Sequence, residues 1–155
     1  MYTKKIYAQL NILAILLLFS MANAQNKAED DFKLARNLYR DAGDYATASK
    51  LFGEFILNYP NNPQIPQARL LLARSFRNNN RCELAEDAYE IFFSEYPDHL
   101  ATADARRERA ACLSQRELFI EAAKAFKDVQ TRYSASDFAA ESLLYAARNY
   151  AQGNE

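Results

Sequence analysis

GDYATASKLFGEFILNYP, residues 43–60, returns in outline as NRCELAEDAYEIFFSEYP at 80–97 and as ELFIEAAKAFKDVQTRYS at 117–134, each copy displaced by 37 residues. Counted back from Tyr59, Tyr96 and Tyr133, the eleventh position holds Ala48, Ala85 and Ala122, and the seventh holds Phe52, Tyr89 and Phe126. The fourteenth holds Tyr45, Cys82 and Phe119. Each phase keeps its size class. A period between about 20 and 50 residues with matched phases predicts stacked copies of one supersecondary unit, none of which buries its apolar face alone. Such arrays build binding surfaces more readily than catalytic centres.

Working outward, Ala28 to Ala42 carries Phe32, Ala35, Leu38 and Tyr39 at the spacing of one buried helix face. Gly43-Asp44 ends that helix, and Tyr45 to Tyr59 repeats the pattern until Pro60-Asn61-Asn62-Pro63 breaks it. Two helices make a unit. The second unit spans Gln64 to Asn78 and Arg81 to Tyr96, and the third spans Leu100 to Gln115 and Glu117 to Tyr133. Asp137 to Gln152 forms a seventh helix. Ala73, Ala110 and Ala147 are also 37 apart, where alanine would let helix backbones approach closely. The first unit has Ala35 one residue early, which implies a one-residue insertion near Asp41-Ala42. The expected fold is all-α, a right-handed superhelix of helix pairs with units at 28–60, 64–97 and 100–134 and a half unit at 137–152.

Before the array come Lys4-Lys5, an apolar run from Ile12 to Phe19, and Ala22-Asn23-Ala24. These are the parts of a secretory leader with cleavage after Ala24; the run is short of the roughly 20 residues that span a bilayer. An uncleaved anchor is the alternative. Of 19 basic side chains, removal of Lys4 and Lys5 leaves 17 against 20 acidic ones, a net charge near −3. Nucleic acid is a poor partner for such a surface.

Gly43, Tyr45, Ala48, Phe52 and Pro60 together resemble the tetratricopeptide repeat, although Asn80 and Glu117 replace the glycine and Ser134 the last proline. Tyr96-Pro97-Asp98-His99-Leu100-Ala101 is similar to an exported subset of these repeats. That subset includes the coordinator of the Tol-Pal system and the scaffold lipoprotein of outer-membrane barrel assembly. The lipoprotein carries a cysteine just after its leader, whereas this chain has Gln25-Asn26, so the soluble coordinator type is the better parallel. The resemblance implies a periplasmic adaptor that binds a protein or peptide on the concave surface formed by the first helix of each unit, with peripheral envelope association compatible with that role.

By phase, the exposed positions of that surface are Lys33, Arg36 and Arg40 in the first unit, Gln67, Arg74 and Arg77 in the second, Asp104 and Arg107 in the third, and Arg148 in the last helix. Leu70 and Leu144 would supply apolar patches. Guanidinium groups one repeat apart suit the carboxylates of an extended peptide or chain terminus, while a solvated face is the competing explanation. Arg106-Arg107 beside Glu108 suggests local pairing. Reversing the charge of Arg74 and Arg77 is expected to abolish partner binding without disturbing the fold.

Catalytic chemistry has little support: His99 is the sole histidine and lies in a turn without a nucleophile in phase. One histidine and two cysteines make a poor zinc set, and no cofactor motif is present. Tyr89, Phe92 and Phe93 read as core. Cys82 and Cys112 fall at one level of the hairpin about Pro97-Asp98, where either a disulfide worth about 3 to 4 kcal/mol or two buried thiols would fit. Two further readings concern the last helix. The array could be the regulatory arm of a longer enzyme with its active site beyond Glu155, or it could self-associate through Leu144 and Tyr145.

Overall fold

A computed structural model describes residues 25–154, and the expected leader, residues 1–24, lies outside the described residues. Helix α1 runs over residues 25–37 and continues through a wider turn, Leu38–Ala42. It is followed by α2 (Tyr45–Asn58), α3 (Ile65–Asn78), α4 (Cys82–Glu95), α5 (Thr102–Gln115), α6 (Phe119–Arg132) and α7 (Ala139–Gly153). Among the described residues there is no strand. Each helix packs on the next, giving the expected all-α stack of helix pairs.

The 37-residue phases are the core. Ala48, Ala85 and Ala122 are fully buried, as are Phe52, Tyr89 and Phe126 to within 2%. Alanine at the first phase removes side-chain bulk between backbones, and the aromatic one turn later fills the space at about 1.5–3 kcal/mol per buried ring. In the first helices Ala35, Ala73 and Ala110 are likewise fully buried. Ala147 departs from the expectation. It is exposed, and its neighbour Ala146 packs against Phe126 and Ala110 instead. A helix flanked on both sides buries a wider stripe than α7, beyond which no further helix lies among the described residues.

The inferred insertion is visible as backbone geometry. At the ends of α3 and α5 the chain closes with matching bonds: Arg81 N–H donates to Phe76 O at 2.9 Å, and Leu118 N–H to Leu113 O at 3.0 Å. Those are five-residue spans. At the end of α1 the corresponding bond, Asp44 N–H to Leu38 O at 3.0 Å, spans six. The wide turn at Leu38–Ala42 therefore stores the extra residue, as single π-type turns do, and lets Ala35 keep the place of Ala73. After each of these turns the chain needs a left-handed residue, supplied by Gly43 (φ 65°), Asn80 (φ 57°) and Glu117 (φ 61°). Such a residue releases the chain from the helix with its last carbonyls satisfied.

The turns between units also share one design. Tyr59, Tyr96 and Tyr133 carbonyls accept from Asn62, His99 and Ser136, whose own carbonyls accept from Ile65, Thr102 and Ala139. This double turn delays the helix starts to Thr102 and Ala139, two residues later than the sequence suggests. Inside it, Asn62 Oδ1 accepts from Gln64 N–H at 2.9 Å, and His99 Nδ1 takes the same part toward Ala101 N–H at 3.1 Å. His99 is thus a turn-former, and its ring makes a T-shaped contact with that of Phe92.

Candidate functional site

The first helices α1, α3, α5 and α7 are tied to one another by polar side chains on a shared face. Asn78 Nδ2 of α3 donates to Tyr39 Oη of α1 at 3.3 Å. Arg74 of α3 donates through Nε and Nη2 to the two carboxylate oxygens of Glu108 on α5, both at 2.9 Å. Arg107 of α5 lies 3.7 Å from Glu141 of α7 and stacks over Phe138 at 5.5 Å. The face is therefore a polar ladder running across all units, charged between α3, α5 and α7.

Glu108 is the hub. Its carboxylate is only 12% exposed, accepts from Tyr89 Oη at 2.7 Å, and has Arg77 Nη1 at 3.5 Å as a second cation. Burial first, and then the charge and hydrogen bond of Glu108, push the Tyr89 phenol well above its ordinary pKa, with Arg77 offsetting part of the shift. Arg74 is held above the usual arginine value by its bond to Glu108 and by that charge, against the opposing and larger single effect of desolvation. Two arginines and one carboxylate leave this centre with a net positive charge.

Several expected groove residues occupy other roles. Leu70, expected as an exposed patch, is 4% exposed and lies in the core with Tyr89 and Phe93, because α3 turns that side toward α4. Arg74 and Arg77 are half-buried members of the hub, so their charge reversal would injure the fold. Glu108 pairs with α3 and not with its neighbours Arg106 and Arg107; Arg106 lies over the Phe93 ring at 4.5 Å. Arg36 is half-buried above Phe32 at 6.0 Å. Asp104 is within 4.0 Å of Arg107 one turn on.

What remains open to solvent is a smaller set. Lys33, Arg40, Gln67 and Arg148 are exposed, and Leu144 is 67% exposed beside Leu143. Lys33, Arg40 and Arg148 enter no ion pair among the described residues. Sequence reasoning missed the hub role of Glu108 and the polar use of Tyr89. The only available signal was a carboxylate amid arginines on a helix poor in large apolar residues.

Stacked helix pairs with matched small and aromatic phases and left-handed turn residues at a fixed period point to one repeat class. The tetratricopeptide repeat pattern matches residues 34–99 and again 70–137. The chain belongs to the tetratricopeptide repeat family. In three dimensions it is similar to the crystal structure of the P58(IPK) TPR domain, with a TM-score of 0.71 and 19% identity over 88% of this chain. That overlap spans 37% of the P58(IPK) chain, and at this identity it speaks to the fold. Among curated proteins no sequence match is found. Tetratricopeptide repeats generally hold protein or peptide partners and are typically non-catalytic scaffolds.

Proposed function

We propose that this chain is an exported adaptor of the bacterial cell envelope that holds an extended segment of a partner protein along the concave face of α1, α3, α5 and α7. The observation that carries the reading is the charge arrangement on that face. Ion pairing closes its centre around Glu108, while Lys33 and Arg40 at one end and Arg148 at the other keep their cations in solvent. A segment bearing carboxylates at both ends would meet guanidinium groups able to bind each one bidentately. Gln67 between them offers an amide to a peptide backbone. Export is supported by the leader pattern of residues 1–24, and the envelope setting by the likeness of the Tyr-Pro turns to the Tol-Pal coordinator type.

The test is co-purification from envelope extracts with the wild-type chain and with Arg40→Glu/Arg148→Glu. The double variant should lose the partner while its melting curve stays unchanged, since neither residue is paired. Equal recovery by both would refute docking on this face. Export is tested separately by N-terminal sequencing of osmotic-shock fluid, with Gln25 expected as the first residue; a chain that stays in the cytosol with Met1 in place would contradict it.

A further inference from the structure

The junction between the second and third units differs in kind from its neighbours. From α2 to α7, the consecutive helices α4 and α5 pack least closely. The reason lies in α5, whose buried positions are Thr102, Ala105, Ala110, Cys112 and Leu113, with one large apolar side chain among them. Beside the core contacts of Ala105 and Cys112, a polar seam joins the two units here: Arg109 to Glu90 at 2.7 Å, Arg116 to Glu86 at 2.8 Å, and Tyr89 to Glu108 at 2.7 Å. The Arg109–Glu90 pair, with Glu90 57% exposed, is of the surface kind that contributes about 0–1 kcal/mol.

Both cysteines lie across this thin seam. Cys82 opens α4 and Cys112 lies near the end of α5; they are 4% and 1% exposed, share one core, and are both free thiols. Burial raises the Cys112 thiol, and the adjoining Cys82 thiol adds to that shift. Cys82 also borders a surface cleft of about 280 Å³ lined with Asn80, Gln115 and Arg116, and its thiol donates to Gln115 Oε1 at 3.2 Å. Cys82 thus borders the cleft, and Cys112 is the more deeply buried of the two.

We infer that Cys82 and Cys112 form a disulfide that staples the second unit to the third where α4 and α5 pack least closely. The oxidant is a disulfide RSSR. The Cys82 thiolate attacks one sulfur and expels RS⁻, leaving Cys82–S–S–R. The Cys112 thiolate then attacks the Cys82 sulfur and expels the second RS⁻. Two thiols become one S–S bond of about 2.05 Å, and RSSR becomes two RSH. Closing a loop of this length removes freedom from the unfolded chain.

The experiment takes the purified full-length chain as thiols and adds oxidised glutathione. The expected product has lost the mass of two hydrogens, carries no glutathione, and yields a peptide joining Cys82 to Cys112. Its melting temperature rises by about 10 °C and dithiothreitol reverses the gain. In Cys112→Ala the reaction should stop with one glutathione on Cys82, whereas Cys82→Ala should stay unmodified while folded. Persistent glutathione on wild-type Cys82, disulfide-linked dimers, or two free thiols after refolding in the oxidant would each overturn the inference. So would a bridged chain whose melting temperature equals that of the reduced one.

Discussion

Arg74 of α3 and Glu108 of α5 meet through two parallel hydrogen bonds of 2.9 Å across the boundary between the second and third units. A carboxylate with two cations and a buried phenol organises the centre of the first-helix face. Its loss would leave Arg74 and Arg77 facing each other without a counter-charge.

Glu108→Gln should therefore destabilise the chain by roughly 2–3 kcal/mol. That is below the 3–5 kcal/mol for breaking a fully buried pair because Arg77 is a third exposed. Urea denaturation measures it, and a loss under about 0.5 kcal/mol would contradict the hub. For the same reason Arg74→Glu/Arg77→Glu should melt well below wild type.

Tyr89 supplies a pH signature. Its folded pKa is raised, so its contribution is fully present below the unfolded value near 10 and is lost as pH rises toward the folded value. Wild type should exceed Tyr89→Phe in stability at neutral pH by about 1.5–3 kcal/mol, the worth of a hydrogen bond to a charged group. The gap should narrow above about pH 10. Urea melts of both chains at neutral and alkaline pH report it; a constant gap would mean that Tyr89 ionises normally in the folded state.

The three left-handed turn residues make a graded set. Glu117→Gly and Asn80→Gly should each stabilise by up to about 1 kcal/mol, with glutamate gaining more than asparagine because asparagine tolerates this conformation. Gly43→Ala should lose about 1 kcal/mol. Thermal melts rank the three, and a stabilised Gly43→Ala would contradict the turn geometry.

Two helical glycines should respond differently. A Cβ on Gly53 meets nothing within 4 Å, so Gly53→Ala should gain about 0.5–1 kcal/mol. On Gly153 it would stand 2.7 Å from Ile120 Cδ1 and 3.2 Å from Phe119 Cβ. Overpacking there should cancel the propensity gain. Equal gains at both sites would show that α7 does not sit this tightly on α6.

The stack was legible in the sequence because repetition writes packing directly: Ala48, Ala85 and Ala122 share one size, and all three are fully buried. The extra residue of the first unit is legible too, in Ala35 standing one residue early, and the wide turn at Leu38–Ala42 holds it. The face was harder to read. Helical phase marks Leu70 and Arg74 as outward within their own unit, but whether they meet solvent depends on how α4 and α5 lean across α3. Pairing of Arg74 with Glu108, 34 residues on, is set by the superhelix and not by local spacing. Ala147 is exposed because its phase is buried where another helix packs beyond it, as at Ala73 and Ala110.

The most direct test of the account places a photo-crosslinking side chain at Gln67, exposed on α3, and in a second chain at Leu57, 80% exposed on α2. Irradiation in envelope extract should trap one defined partner from Gln67, with acidic residues in the captured segment, and none from Leu57. The same partner trapped from Leu57 and not from Gln67 would show that docking uses the second helices and would contradict the account.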